Sequence, residues 1–535
     1  MVFDPTLGAT VVLPPTSQAS RAARGAAAST IEANTALRDI DLARQGYNLA
    51  SPSGNYTAAP TPTLLALVPV GAQNGNTNSS NDTTNNSLNS RMSCWAPANS
   101  DITNIQLIYP TFATIPTEAD WPVSPYTVTA AIEYPAGTFY PVFTAAGSRT
   151  LTVNAGRSTL GNFAACPVVI PAGAQFWVKS YVQWATGNFW MTTHKATYHI
   201  GEWTRRAVGA TDLTLDVTAQ ATTTNLYGFG PNVFGSMITT ASVLGVIGDS
   251  ISVSDGYPRP GNIGGSTWIG EAMRGALPVL NLGAGGDTMT AYLNRSDGRM
   301  SLMRDRITHL MFLLCRNDVA SADTLATLQS NLQRCLAPWL ADGVKVWAAT
   351  CIPTSTSSDG WATVANQTAA ATEAKRQQYN AWLMTNWASL GLQGVMDWAH
   401  AVDPGDIGKW SADGTVYNGA RGFATVTNGV ITACAQGGYN GDSSGATNGY
   451  PANQTGIPLA VTNMPGDPGR DAVITGNTNA SGLMNTYTVA NGGYGYLYQP
   501  MITIPGRWTN DGVHPNRRAV DQMIRLTALR PEMFV

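Results

Sequence analysis

The sequence predicts an α/β protein. A three-layer α/β/α domain around a parallel sheet is expected, preceded by an antiparallel β-sandwich of jelly-roll type and an N-terminal helical arm. Three observations lead there. Residues 16–45 are Ala-rich, with Ile31, Leu37, Ile40 and Leu42 spaced among charges, a sparse helical stripe. From about 60 to 238 the apolar residues recur with period two, the signature of half-buried strands. From 243 onward short apolar runs alternate with helical patterns, as in a parallel sheet covered on both faces.

The expected divisions are 1–60, an anchoring arm with a helix; 61–238, the sandwich; and 239–535, the α/β domain, with a loop-rich insertion at about 403–505. A helix as poor in apolar residues as the arm is not stable alone, so it needs its own body or a partner. Residues 74–90, NGNTNSSNDTTNNSLNS, form a polar low-complexity loop. In the sandwich, Tyr126, Val128, Ala130, Ile132 and Tyr134 alternate with Thr and Glu, and Phe176, Val178, Val182 and Trp184 repeat the pattern. Trp190 and Trp203 read as core rather than as sugar platforms.

Five strands are expected in the α/β domain: Val243–Ile247, Val279–Leu282, Ile307–Leu314, Val344–Thr350 and Leu392–Asp397. Between them fall a helix over Thr267–Ala276 with Ser266 as N-cap, one over 321–341 ended by Gly343, and one over 364–390. The insertion, typified by CAQGGYNGDSSGATNGYPANQTG, reads as loops and short strands.

Bulk numbers exclude several functions. Lys+Arg 30 against Asp+Glu 33 gives a net charge of −3, and charged residues are only 12 %, against a usual share of about 25 %. Nucleic acid and anionic membrane surfaces are therefore not expected partners. No apolar run reaches the ~18 residues of a membrane span. The first residues, MVFDPTLGATVVLPPTSQASRAARG, lack the pattern of a secretory signal. The expected setting is cytoplasmic, or outside the cell by another route such as a virion. None of the six cysteines shows metal-ligand spacing, so no metal is expected and buried free thiols are. A Cys94–Cys166 bridge stays open.

Ser250, in GVIGDSIS, follows the first parallel strand directly, where active sites of such sheets lie. A serine hydroxyl is a weak nucleophile without a base. Five histidines are present, and two follow an acid by three residues: His400 in DWAH and His514 in DGVH. That spacing lets a carboxylate fix the imidazole tautomer. His400 directly follows a strand and reads as structural, whereas His514 sits on a loop before a C-terminal helix. Gly286, in NLGAGGDT after the second strand, and Asn317, in LLCRNDV after the third, can offer an amide and a carboxamide, the parts of an oxyanion hole.

Taken together, GDS (248–250), GAGGDT, CRND and DGVHPN resemble the four blocks of the SGNH, or GDSL-type, hydrolase family over residues 240–535. The resemblance implies a flavodoxin-like sheet and a carboxylic ester hydrolase without cofactor. It assigns Ser250 as nucleophile, His514 as base and Asp511 as its orienter, with the oxyanion donors at the Ser250 and Gly286 amides and the Asn317 side chain. Cys315 stands where the family has a glycine, narrowing the pocket and sparing the asparagine. All five residues lie in 239–535, so a fragment starting near Thr239 is expected to hydrolyse a small ester. The implied substrate is an acylated, chiefly acetylated, polysaccharide or a small acyl ester. The implied setting is a phage tail or capsid appendage, homo-oligomeric with a trimer as one form, contacting other virion proteins through the arm. The alternative is a structural or adhesive virion protein that binds glycan with little hydrolysis.

Overall fold

The structure is a computed structural model that describes residues 2–4, 9–11, 68–69, 72–74, 79–97, 100–109, 112–115, 119–122, 125–154, 161–185, 189–192, 202–218, 230–237, 242–253, 267–273, 277–414, 421–436, 450–462, 469–496, 500–503 and 507–534. The arm helix expected at 16–45 lies outside them. Val2–Asp4 and Ala9–Val11 pair as a small antiparallel hairpin.

Five strands build a parallel sheet: Leu244–Ile247, Val279–Asn281, His309–Phe312, Lys345–Ala349 and Gly394–Met396. In space they run fifth, fourth, third, first, second, the flavodoxin-like order, whose switch point lies at the first and third strands. Alternation along each strand feeds two cores. Val243, Ile247, Leu280, Leu310, Phe312 and Val346 face one side, where Leu328, Leu332, Leu336 and Trp339 of helix Leu325–Ala341 pack against them. Leu244, Val246, Met311 and Trp347 face the other, covered by Trp268 and by Ala519, Val520 and Met523 of helix Arg517–Thr527.

Two antiparallel sheets precede this domain. One carries Ser87–Trp95, Tyr126–Glu133, Gln175–Gln183 and Trp203–Ala207; the other carries Ile102–Tyr109 and Asn232–Met237. Tyr126, Val128, Ala130 and Ile132 are buried with Phe176, Val178 and Val182 against Ile105, Leu107 and Phe234, as the alternation predicts. Tyr109 and Ser180 hydrogen-bond at 2.6 Å between the sheets. Trp203 is buried, and Cys94 and Cys166 are both free thiols.

Several expectations need correction. Ala72–Asn74, placed by the sequence in the sandwich, instead extends the parallel sheet beside Val279–Asn281. The sandwich also shares its hydrophobic cluster with one face of the α/β domain, and the Arg306 guanidinium lies 5.4 Å over Phe234. The divide at 238/239 is therefore not a clean one. The described residues of 421–503 are not mainly loops. They hold a six-stranded antiparallel sheet with strands as long as Met484–Tyr494 and a core of its own around Ile431, Leu459, Ile474, Met484 and Ile502. The region expected as helix 364–390 begins with a hairpin, Ser355–Ser357 on Gln367–Ala369, and the helix is Glu373–Asn386. Ser266 lies outside the described residues; the Thr267 hydroxyl accepts the Gly270 amide at 3.2 Å.

Candidate active site

The first strand ends at Ile247 in the middle of the sheet. Gly248 follows because a Cβ there would lie 2.7 Å from the Ser252 side chain and 3.0 Å from Leu313. The chain then folds into a tight turn. The Asp249 carbonyl accepts the amides of Ser252 and Val253 at 3.0 and 3.3 Å, and its carboxylate accepts the Ile251 amide at 3.0 Å. Ser250 is carried half-buried on this turn. The turn is tied to the next strand end: Ala284 donates its amide to the Gly248 carbonyl at 2.8 Å, and the Asn281 carboxamide donates to the Ser252 carbonyl at 2.8 Å.

The imidazole beside it arrives from the far end of the chain. His514 Nε2 lies 2.9 Å from Ser250 Oγ, across 264 residues of sequence. His514 Nδ1 lies 2.6 Å from Asp511 Oδ2. Asp511 Oδ1 accepts the amides of Val513 and His514, each at 2.8 Å. Burial pushes the Asp511 carboxyl up, but the His514 side chain and these two amides outweigh it and hold the group well below the usual carboxylate range.

Gly512 allows this loop its shape. Its φ is +78°, and a Cβ would overlap the Ser355 carbonyl and meet the Trp361 ring at 2.7 Å. The Gly512 carbonyl accepts the Ser355 amide at 3.1 Å and the Trp410 indole N–H at 2.9 Å. Thr509, fully buried, donates its hydroxyl to the His514 carbonyl at 2.8 Å and accepts the Gly512 amide at 3.0 Å. Sequence reading missed these supports. Only Thr509, two residues before Asp511 in a TNDG turn, leaves a local signal.

Gly286 lies exposed in the turn after the second strand, with φ +76°. The Asn317 carboxamide donates to the Asp287 carbonyl at 2.9 Å, which seats it beside that turn and leaves its second N–H unassigned. Asp287 is itself paired with buried Arg299 at 2.5 Å. The five predicted residues thus divide into a hydrogen-bonded trio, Ser250–His514–Asp511, and a second group, Gly286 and Asn317, joined through Asp287. His400 is exposed, and Asp397 is the N-cap of helix Trp398–Val402.

Two further carboxylates lie buried behind the trio. Burial lifts Asp249 to about 6, against the opposing pull of the Ile251 amide, Arg316 and His514. Burial also lifts Asp318 to about 7, although it accepts the Met289 amide at 2.9 Å. Cys315 is buried, and its thiol is pushed far up, first by its contact with Cys351 and then by burial. Among the described residues one carboxylate cluster is tight enough for a metal, Glu373, Asp403 and Asp406. The Arg376 guanidinium reaches all three at 2.5, 3.3 and 2.7 Å, so the cluster already has its cation.

No family model matches the sequence, and no curated protein does. Solved structures similar to it include a GDSL-like lipase from Bacteroides thetaiotaomicron at 12% identity, covering 37% of this chain and 78% of that one with a TM-score of 0.23. Another is a member of the lipolytic protein G-D-S-L family from Veillonella parvula, at 14% identity over 32% of this chain and 90% of that one, TM-score 0.23. A third is a variant of an acetyl-xylooligosaccharide esterase from a Geobacillus, at 14% identity over 33% of this chain and 89% of that one, TM-score 0.25. These superpositions are loose, and the trio of Ser250, His514 and Asp511 stands on its own geometry.

Proposed function

We propose that the chain is a serine carboxylic ester hydrolase that removes acyl groups, chiefly acetyl, from a polysaccharide. One observation carries this reading: a single imidazole with Nε2 at 2.9 Å from a strand-end serine and Nδ1 at 2.6 Å from a carboxylate. In this mechanism Ser250 Oγ attacks the acyl carbonyl while His514 Nε2 takes its proton. Asp511 holds the tautomer and stabilises the imidazolium. The oxyanion falls to the Ser250 and Gly286 amides and the Asn317 carboxamide. The C–O bond to the sugar then breaks, and His514 returns the proton to the departing alkoxide. Water, deprotonated by His514, releases the acid from the acyl-enzyme.

A sugar ester is favoured over a long-chain lipid by composition. The sheet of residues 421–503 inserts in the sequence immediately before the Asp511 loop, and Asn485, Thr486, Thr488 and Asn491 are exposed on its longest strand. We extend the reading to a virion appendage acting on a host glycan, with the sandwich as its mount; this step is analogy. The deciding experiment measures acetate released from a panel of bacterial polysaccharides by wild type and by Ser250→Ala. Acetate from at least one polysaccharide, lost in the variant, is expected. Hydrolysis confined to long-chain esters would overturn the glycan target, and no ester hydrolysis at all would overturn the enzyme.

A further inference from the structure

Behind the nucleophile turn lies a cavity of about 10 Å³, lined in part by Asp249, Ser252, Cys315, Arg316 and Trp398. That volume is close to the space one water molecule occupies. Three of the lining residues bring buried polar atoms that have no partner among the described residues: Asp249 Oδ2, Arg316 Nε and Trp398 Nε1. All three side chains are deeply buried, at 1%, 8% and 3% exposure. Buried polar atoms left unpaired are costly, and in folded proteins nearly all find protein or ordered water. Here the set is complementary. Arg316 Nε and Trp398 Nε1 can only donate, and a carboxylate oxygen accepts. A water can take two hydrogen bonds from the donors and give one back to the acceptor.

We propose that Asp249, Arg316 and Trp398 build a buried water site that locks the nucleophile turn to the segment carrying Asn317. The connections make this a positioning device. Asp249 precedes Ser250 in the turn, and Arg316 precedes Asn317 in helix Arg316–Ala320. A bridge from Asp249 to Arg316 therefore fixes the spacing of two of the three oxyanion donors. The Asn317 bond to the Asp287 carbonyl fixes the third strand end to the second, so the water closes the remaining gap in the frame. Trp398 supplies the third corner and is itself held edge-on against Trp268 at 5.1 Å. The pull of Arg316 on Asp249, which offsets part of the burial effect on that carboxyl, fits the same arrangement. The catalytic consequence rests on the esterase reading; the water site does not.

The first test is a crystal structure of the full chain at a resolution that shows ordered water. A density peak within hydrogen-bonding distance of Asp249 Oδ2, Arg316 Nε and Trp398 Nε1 is expected. A dry cavity, or direct Asp249–Arg316 contact, would overturn the site. The second test is kinetic, with a soluble acetyl ester. Asp249→Asn and Trp398→Phe keep shape while weakening or removing one corner each. Each should lower kcat by up to about 10²-fold, the scale of a small misplacement of catalytic groups, with KM nearly unchanged. The double variant should lose less than the product of the two losses, since both act through one water. Unchanged kcat in both single variants, with melting temperature alone reduced, would reduce the site to a structural one and sink the positioning role. Inactive wild type would defeat the esterase reading while the density still decides the water.

Discussion

DGVH and DWAH are the same pattern met twice in one chain. In both, an aspartate Oδ1 accepts the backbone amide of the histidine three residues on, at 2.8 Å for Asp511 and 3.2 Å for Asp397. Beyond that shared bond the two segments diverge. In DWAH the intervening residues are Trp and Ala, and the chain continues as helix Trp398–Val402 with Asp397 as its N-cap. The Thr350 hydroxyl also donates to Asp397 Oδ1 at 2.9 Å, and His400 is left exposed. In DGVH the second residue is a glycine at φ +78°, the conformation that Cβ-bearing residues avoid. The chain turns instead of coiling, and the ring comes back onto Asp511 Oδ2 at 2.6 Å. An i, i+3 acid–histidine pair is thus a cap or a dyad according to the residue between them.

The largest test of that contrast compares the histidines. His514→Ala should lower ester hydrolysis by roughly 10⁴ or more, as should Ser250→Ala, while His400→Ala keeps nearly all of it. Steady-state rates on a p-nitrophenyl acetate-type substrate measure this, and the reverse order would make DWAH the dyad. Next come the acids. Asp511→Asn should cost about 10³–10⁴ in kcat, and Asp397→Asn almost nothing. The pH profile carries a sign. Asp511 is held below the usual carboxylate range, so it stays ionised through mild acid. Asp511 itself therefore adds no titration to the acid limb, which combines proton uptake by His514 with that of Asp249, lifted to about 6 by burial. Removing the charge in Asp511→Asn destabilises the imidazolium and should move that limb to lower pH. A limb that stays in place in both Asp511→Asn and the Asp511→Asn/Asp249→Asn double variant would mean that Asp511 does not act on the ring.

Asn317→Ala is expected to have a smaller effect, about 10²–10³ in kcat with a lesser change in KM. A pure KM effect would make Asn317 a substrate-binding residue. This prediction also marks how far sequence could reach. Ser250, Gly286 and Asn317 were legible because each follows a strand, and strand ends of a parallel sheet converge; the DGVH pair was legible from its i, i+3 spacing on a loop before a C-terminal helix. That the sheet is parallel was legible from the alternation of apolar runs and helices, and its flavodoxin-like arrangement only from the family resemblance. What was not legible depends on contacts between distant segments. Nothing in the sequence of Ala72–Asn74, between an apolar run and a polar stretch, marks it as an edge strand of the sheet beyond. The sheet of 421–503 was hidden because its exposed positions are largely Thr, Asn and Ala, so its few core residues look isolated. The shared cluster joining sandwich and α/β domain has no local signature at all. It makes a fragment beginning near Thr239 a poorer candidate for autonomous folding than composition suggests, since that fragment loses an edge strand and uncovers apolar surface.

The smallest expected effect tests the other half of the contrast, that Asp397 is a cap. Its Oδ1 accepts the His400 amide and the Thr350 hydroxyl, and Thr350 Oγ1 in turn accepts the Ala399 amide at 2.8 Å. One carboxylate thus satisfies the start of a short helix directly and through a neighbour. Asp397→Ala removes the direct acceptor and leaves the Thr350 hydroxyl only the Met396 carbonyl, at 3.5 Å. The cost of losing an N-cap is about 1 kcal/mol, which in a chain of this size is a fall in melting temperature of roughly 2 °C. Asp397→Asn retains an acceptor at the same place and should lose less. Neither change touches the trio, since Asp511 and His514 take their support from Thr509 and the Gly512 contacts. Thermal melts paired with kcat measurements below the transition therefore separate the roles. A melting shift with wild-type kcat is the result a cap gives, and a kcat loss approaching that of Asp511→Asn would assign DWAH a place in catalysis.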